Sequence, residues 1–395
     1  MTALAAAVLA LHAGVLGVLG VNLVAFARGR ARDTPAPPGA APPSAAGGAA
    51  APSPEGVAVS VLVPARNEEA NLRRLLPSLL AQTGLAFEAV VVDDASEDGT
   101  WAVLEDHADP RLRPVRGSGP PAGWLGKPHA LYQAARRASG GVLVFLDADA
   151  ELRDPGALAR LVGRWTANGG AGTALSGLPR YLDRGPAALL TSLVPFAILA
   201  ALPVPLVPRT RSPGLSAVNG QVWVLGADDY RRLAPHEEVR GEVLEDVMIG
   251  RYLKRSGVRL WVEDLSGELA VRMYGSFGEA WAGFRKNAYL LAGGRPAPFA
   301  AFFALYAVCW VAPSALALGA VVGLAPAAAA WPLATLVLVK LAVDRWGRFP
   351  LWVSALAPVT LALGAALQLD SAGAHARGRV AWKGRSVGGG AEQGG

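Results

Sequence analysis

Three times between Val57 and Asp149 a short apolar run ends in a cluster of polar residues. Val57–Val63 leads to Arg66-Asn67-Glu68, Phe87–Val92 to Asp93-Asp94, and Val142–Leu146 to Asp147-Ala148-Asp149. Mostly apolar runs of this length, separated by helical stretches such as Glu69–Gln82, predict strands buried on both faces. The pattern restricts the fold class to α/β with a mostly parallel sheet. Ligands of such sheets bind beyond the carboxyl ends of the strands, so the three clusters are expected to converge on one crevice.

Much of the remaining chain is too apolar for water. Of 395 residues, 52% are hydrophobic and 17% charged, against about 25% charged in an average soluble domain. Thr2–Ala27 carries no charge and is long enough to cross a hydrocarbon core of ~30 Å. Arg28, Arg30 and Arg32 follow it. A cleavable leader has its positive charge ahead of the apolar stretch. Residues 1–27 therefore read as an uncleaved transmembrane anchor with its C-terminal end in the cytoplasm, a secretory leader being the alternative. Residues 28–56, rich in Pro, Ala and Gly, read as a disordered linker. Residues 57–295 form the candidate catalytic domain. Within it, 188–208 is apolar and broken by Pro195, Pro203, Pro205 and Pro208. A full crossing there would separate Asp147 from Asp246, so an interfacial or re-entrant segment is expected.

Residues 296–370 hold three further apolar segments, Phe299–Leu324, Ala327–Val343 and Leu351–Leu367. Asp344-Arg345-Trp346-Gly347-Arg348 reads as a cytoplasmic loop between two of them. Residues 371–395 are a basic tail. Two crossings plus one re-entrant or interfacial segment would keep that tail inside. The expected arrangement is a multi-pass cell-membrane protein with a cytoplasmic catalytic domain and the lipid bilayer as its first partner. The formal net charge of +6 comes without a basic run interleaved with aromatics, so it points to membrane flanks and not to nucleic acid. Cys309 is the single cysteine, which excludes an intramolecular disulfide and a cysteine-based zinc site.

The chemistry resides in the polar clusters. Asp147 and Asp149, two carboxylates at i and i+2 after a strand, suit Mg²⁺ or Mn²⁺ bridged to a diphosphate; two solvated loop acids are the alternative. Asp93 and Asp94 can accept from a base edge or ribose, while Ser96 or Asp98 can cap the next helix. The backbone from Pro64 to Glu69 can lie along a nucleotide, with Asn67 or Glu68 in contact; a capped helix start explains the same residues. Lys127, between Gly126 and a helical run, can offset diphosphate charge or be a surface lysine. Glu245 and Asp246 open a helical stretch to Arg255. A carboxylate there can act as general base, or the pair can stabilise the helix N-terminus. His236 is a second base candidate.

In this order, the Val-Pro start with Asn67-Glu68, the Asp93-Asp94-Ala95-Ser96-Glu97-Asp98-Gly99-Thr100 turn, Gly126-Lys127, Asp147-Ala148-Asp149 and Glu245-Asp246 resemble glycosyltransferase family 2 over roughly Val57 to Asn287. The resemblance implies a GT-A nucleotide-sugar-binding domain flanked by transmembrane or interfacial helices. It implies that Pro64, Glu68, Asp93, Asp94, Lys127 and Asp147 line a nucleotide-sugar site, with a UDP-sugar the expected donor. It further implies a divalent ion at Asp147 and Asp149, and Asp246 as base in an inverting displacement. Processive members carry Gln-x-x-Arg-Trp; the corresponding Ala280-Trp281-Ala282-Gly283-Phe284-Arg285-Lys286-Asn287 does not, which favours transfer of one sugar. Asn219-Gly220-Gln221, Arg272-Met273-Tyr274 and Trp382-Lys383-Gly384-Arg385 resemble the membrane subgroup acting on carotenoid acids and hopanoid-type lipids. Asn219, Gln221, His236, Glu245, Trp382 and Arg385 are then the acceptor-side candidates. The expected acceptor is a carotenoid or related isoprenoid; polyprenyl phosphate or a glycerolipid is the alternative, and a non-catalytic nucleotide-sensing scaffold a third reading. A basic interfacial anchor explains Trp382 to Arg385 equally.

Overall fold

The computed structural model describes residues 2–31, 58–378, 381–382 and 385–386. It divides into two compact units. Most of the proposed linker lies outside the described residues; its first four, 28–31, continue the helix Ala3–Ala31.

The unit formed by Phe26–Arg180 and Pro205–Arg272 is built on strands. These are β1 (Val59–Ala65), β2 (Phe87–Asp93), β3 (Leu112–Arg116), β4 (Val142–Leu146), β5 (Ala150–Leu152), β6 (Thr173–Leu178), β7 (Arg180–Tyr181), β8 (Val222–Gly226), β9 (Arg259–Asp264) and β10 (Leu269–Val271). Seven form a sheet in the order β3-β2-β1-β4-β8-β6-β9. Its pairings are parallel except that β8 runs against both β4 and β6. Short β5 pairs with β10.

The strands read as mostly apolar runs because both faces are covered. β2 is buried at every position. The helix Glu69–Leu80 sets Leu72, Leu75, Leu76 and Leu79 at i, i+3, i+4 and i+7, all fully buried. Each contributes about 1.5–3 kcal/mol of burial. Phe145 of β4 and Trp223 of β8 are register partners and stack at 3.8 Å. The chain builds β2 and β3 to one side of β1 and returns with β4 on the other, so order reverses beside β1. That reversal opens a crevice at the carboxyl ends of β1 and β4.

β1 begins two residues later than the apolar pattern suggests and includes Pro64, which does not follow the strand but lies in it, opposite Val92. A proline is tolerated there because the β1–β4 ladder has ended at Leu62.

The second unit, Met1–Ala25, Tyr181–Val204 and Met273–Gly395, is helical and apolar. Among the described residues three helices are long and apolar enough to cross a membrane: Ala3–Arg30, Pro296–Val321 and Ala327–Gly347. Ala187–Ala201 is a shorter apolar stretch, broken into Ala187–Thr191 and Leu193–Ala201. Asn22 of the first long helix secures its end. Its Nδ2 donates to the carbonyls of Leu199 and Leu202 at 2.9 and 2.7 Å, and its Oδ1 accepts the Val204 N–H at 2.8 Å.

Asp344-Arg345-Trp346-Gly347 is not a loop. It forms the last turn of the helix Trp331–Gly347, closed by Arg348 at φ 57°. Asp344 turns inward because Lys340 stands one turn before it. Both are fully buried and paired; Lys340 Nζ also donates to Ser192 Oγ at 2.9 Å, and Ser354 Oγ donates to Asp344 Oδ2 at 2.8 Å. The segment Leu351–Leu367 is divided between Leu351–Ala355 and Ala357–Ala376, the second running past Asp370 into the proposed tail. Beyond it, Trp382 pairs with Arg385 in a two-residue antiparallel ladder.

Candidate active site

The loops after β1 and β2 are bonded to each other. Arg66 Nη1 donates to the carbonyls of Asp94 and Ala95, both at 2.8 Å. The N–H groups of Asn67, Glu68 and Glu69 donate to Ser96 Oγ (2.9 Å), Thr100 Oγ1 (2.7 Å) and Asp98 Oδ2 (3.2 Å). Asn67 Oδ1 accepts the Glu97 N–H at 2.8 Å in return. Asn67 and Ala95 hold positive φ, 52° and 54°. This conformation costs a non-glycine residue about 1–2 kcal/mol, which the cross-bonding offsets.

The two aspartates after β2 have different roles. Asp93 Oδ1 accepts the Ser96 N–H at 3.0 Å and the Ser96 hydroxyl as well. Asp93 therefore shapes the turn, and Asp94 beside it is buried at 2% exposure. Of the two cap candidates, Asp98 accepts the Thr100 N–H at 3.0 Å in the first turn of the helix Thr100–Glu105, while Ser96 bonds Asp93.

Lys127 is at the centre of the acids. It lies in the first turn of the helix Gly126–Arg137. Its Nζ is 2.8 Å from Asp147 Oδ2 and 3.0 Å from Glu245 Oε1. Burial opposes its charge, yet the carboxylates of Asp147, Glu245 and Asp246 hold it well above the ordinary 10.5. Burial raises the Asp147 carboxyl; Lys127 draws it back, while the charges of Glu245 and Glu68 push it further up. Asp246, in the first turn of the helix Glu245–Arg255, is pushed up to about 6 by burial and the neighbouring Glu245. Val247 and Gly220 donate their N–H groups to its two oxygens at 2.8 and 3.1 Å.

The Asn219-Gly220-Gln221 turn braces this cluster. Gln221 O accepts the Asp147 N–H at 3.2 Å, and Asn219 donates to Gly177 O at 3.1 Å. A Cβ on Gly220 would stand 3.0 Å from Lys127 Nζ and 3.1 Å from Asp246 Oδ2. Any side chain here would crowd both charged groups, so the close approach of backbone to charge favours glycine. Residue-type reasoning did not single out Gly220 or the bracing role of Arg66. The only sequence signal for the first was an Asn-Gly pair before a strand.

His236 belongs to the core instead of the base position. It is fully buried among Phe145, Trp223 and Tyr230, and its Nδ1 bonds the Tyr230 hydroxyl at 2.9 Å. Burial, aided by the charge of Lys127, depresses it to about 3, so it stays neutral. Trp382 and Arg385 belong to the helical unit.

Asp147 and Asp149 offer oxygen donors only, the set preferred by Mg²⁺ and Mn²⁺. Asp149 occupies the turn between β4 and β5, and its carbonyl accepts the Arg272 N–H at 3.1 Å. Among the described residues no three His, Cys, Asp or Glu side chains are placed to hold an ion. The pair fits an ion whose other ligands come from a diphosphate and water.

Residues 60–200 match the family model of glycosyl transferase family 2. A 4,4'-diaponeurosporenoate glycosyltransferase of Staphylococcus haemolyticus (strain JCSC1435) is 27% identical over 217 residues, which are 55% of this chain and 56% of that protein. A protein of the same name from Staphylococcus aureus (strain MRSA252) is 25% identical over 244 residues, 60% of this chain and 62% of its own. The chain thus spans less than two thirds of the length of these relatives. A mannosyltransferase from Pyrobaculum calidifontis, solved with GDP-Man and Mn²⁺, aligns at a TM-score of 0.51 and 24% identity over 93% of this chain and 99% of that one. The shared architecture is the GT-A fold.

Proposed function

We propose, from the match of residues 60–200 to the family model of glycosyl transferase family 2, that the chain moves one sugar from a nucleotide-sugar to a membrane lipid, with inversion at the sugar carbon. The observation that carries the reading is the convergence of Lys127, Asp147, Glu245 and Asp246 at the carboxyl ends of the strands. The cross-bonded loops after β1 and β2 present Asp94 and Glu68 to the nucleoside. Lys127 supplies fixed positive charge near the diphosphate. Asp147 and Asp149 would hold Mg²⁺ or Mn²⁺, which when bound offsets the charge of the departing diphosphate. Asp246, poised near neutrality, takes the proton from the acceptor hydroxyl as its oxygen bonds to the sugar carbon. The bond from that carbon to the diphosphate breaks, and the nucleoside diphosphate leaves with the electron pair.

Three helices able to cross a membrane support a lipid acceptor, as do relatives named for a carotenoid acid. Their flanking arginines support a cytoplasmic catalytic domain. A carotenoid or related isoprenoid is the proposed acceptor, with the donor a UDP- or GDP-sugar. The test is labelled sugar transfer in membranes holding the full chain, followed by lipid extraction and mass spectrometry. A new glycolipid is expected, absent with Asp149→Ala or Asp246→Ala and abolished by chelation. Its mass distinguishes an isoprenoid from a polyprenyl phosphate or glycerolipid. Full activity in both variants would overturn the site assignment.

A further inference from the structure

Beside the acids, the buried side-chain donor Nε2 of Gln221 has no hydrogen-bond partner among the described residues. Gln221 is 6% exposed. The orientation of its amide follows from its neighbour. Asn219 Oδ1 accepts the Gln221 N–H at 3.1 Å, and Asn219 Nδ2 donates to Gly177 O at 3.1 Å. These bonds fix which end of the Asn219 amide is nitrogen. That nitrogen also donates to Gln221 Oε1 at 3.2 Å. Gln221 therefore turns its oxygen to Asn219 and keeps the N–H groups of Nε2 uncommitted. Burying such a group without an acceptor is unfavourable, and native structures rarely do it without a role for the group.

Its place in the site names the ligand. Gln221 O accepts the Asp147 N–H, on the side of the leaving diphosphate. The N–H of the preceding Gly220 holds Asp246, on the side of the incoming acceptor. On that reading the transferred sugar lies between these two, and the Gly220-Gln221 backbone is bonded to both. Gln221 directly precedes β8, which lies across β4 from the nucleoside loops of β1 and β2. We infer that Gln221 determines donor specificity, its Nε2 donating to a hydroxyl oxygen of the transferred sugar. The inference rests on the sugar-transfer reading above.

The test uses the full chain in membranes, with UDP-glucose, UDP-N-acetylglucosamine and GDP-mannose as donor probes, and then the deoxy analogues of whichever is used. Gln221→Leu and Gln221→Met are compared with the natural protein. Both should lower kcat/KM for the donor by about tenfold or more. Free nucleoside diphosphate should bind as before. One deoxy donor should be rejected by the natural protein and no longer distinguished by the variants. The thermal midpoint should hold or rise, because an apolar side chain replaces an unpaired buried amide. Natural kcat/KM in the variants overturns the inference, as does a loss of activity together with diphosphate affinity and thermal midpoint. Unchanged discrimination against every deoxy donor also overturns it. If the natural protein uses none of these donors and no other UDP- or GDP-sugar, the transferase reading fails and this inference with it; an active natural protein with unaffected variants sinks the inference alone.

Discussion

Asp246→Asn removes a charge while keeping the shape of the side chain. The carboxylate accepts two N–H groups, from Val247 and Gly220, on separate oxygens. An amide has one oxygen, so one of these bonds is lost, at about 1 kcal/mol. Against that, the folded protein no longer holds a buried charge. Burial and Glu245 lift the Asp246 pKa from the ordinary 3.8 to about 6. At about 1.4 kcal/mol per unit, the ionised form is disfavoured by roughly 3 kcal/mol. The variant is therefore expected to be more stable at pH 7 by on the order of 1–2 kcal/mol.

The sign of the pH dependence follows from the same shift. A folded-state pKa above the ordinary value means that the folded chain binds this proton more tightly than the unfolded one. The stability from Asp246 is fully present below about pH 4 and is lost as pH rises through about 6. Activity runs the opposite way, since a base must be ionised. Its ionised fraction falls from about nine-tenths at pH 7 to about a tenth at pH 5, so kcat/KM should fall about tenfold across that interval. Loss of a general base costs about 100- to 10,000-fold, and kcat for Asp246→Asn should drop in that range with little change in donor KM. The assay is initial-rate sugar transfer from pH 5 to pH 8, with thermal unfolding in detergent at each pH. A flat natural profile between pH 5 and 7, or a variant with more than a tenth of natural kcat, would refute the assignment of Asp246 as base.

Gly220→Ala should lower kcat/KM by about tenfold or more, because its Cβ would lie 3.0 Å from Lys127 Nζ and 3.1 Å from Asp246 Oδ2; thermal unfolding should change little, since both atoms end side chains that can shift. Lys127→Met should weaken nucleotide-sugar binding by about 10- to 100-fold in calorimetric titration, through loss of the ammonium held by Asp147 and Glu245. In the helical unit, Lys340→Met should destabilise by about 3–5 kcal/mol, because it strands a fully buried Asp344. Replacing both as Lys340→Met with Asp344→Leu should recover most of the detergent thermal midpoint.

The strand core was legible because apolar periodicity reports burial directly. Val142–Leu146 matches β4 residue for residue, and the helix after β1 begins at Glu69 as its pattern suggests. Pro64 broke the pattern because composition does not reveal where a ladder ends. The Asp344–Arg348 segment was misplaced for a related reason. Charged residues after an apolar run ordinarily mark an exit to water, but Lys340 lets Asp344 stay inside as a paired residue.

At the site, residue type indicated which side chains carry charge but not what holds them. Asp93 and Asp94 are chemically identical in sequence; Ser96 alone decides that Asp93 turns to its own loop. His236 was an eligible base by type, and only the ring of Phe145, Trp223 and Tyr230 makes it a neutral core residue. Gly220 has no functional group, yet its N–H bonds the residue expected to act as base. Charged residues are sparse and identifiable one by one, whereas backbone donors are present at nearly every position and acquire a role only from placement. The same limit applies to Gln221. Its type suggested an acceptor contact, whereas the bonds of Asn219 show which end of its amide is free to donate. The bonds of the Gly220-Gln221 backbone to Asp147 and Asp246 then move the expected partner from the acceptor to the sugar being transferred.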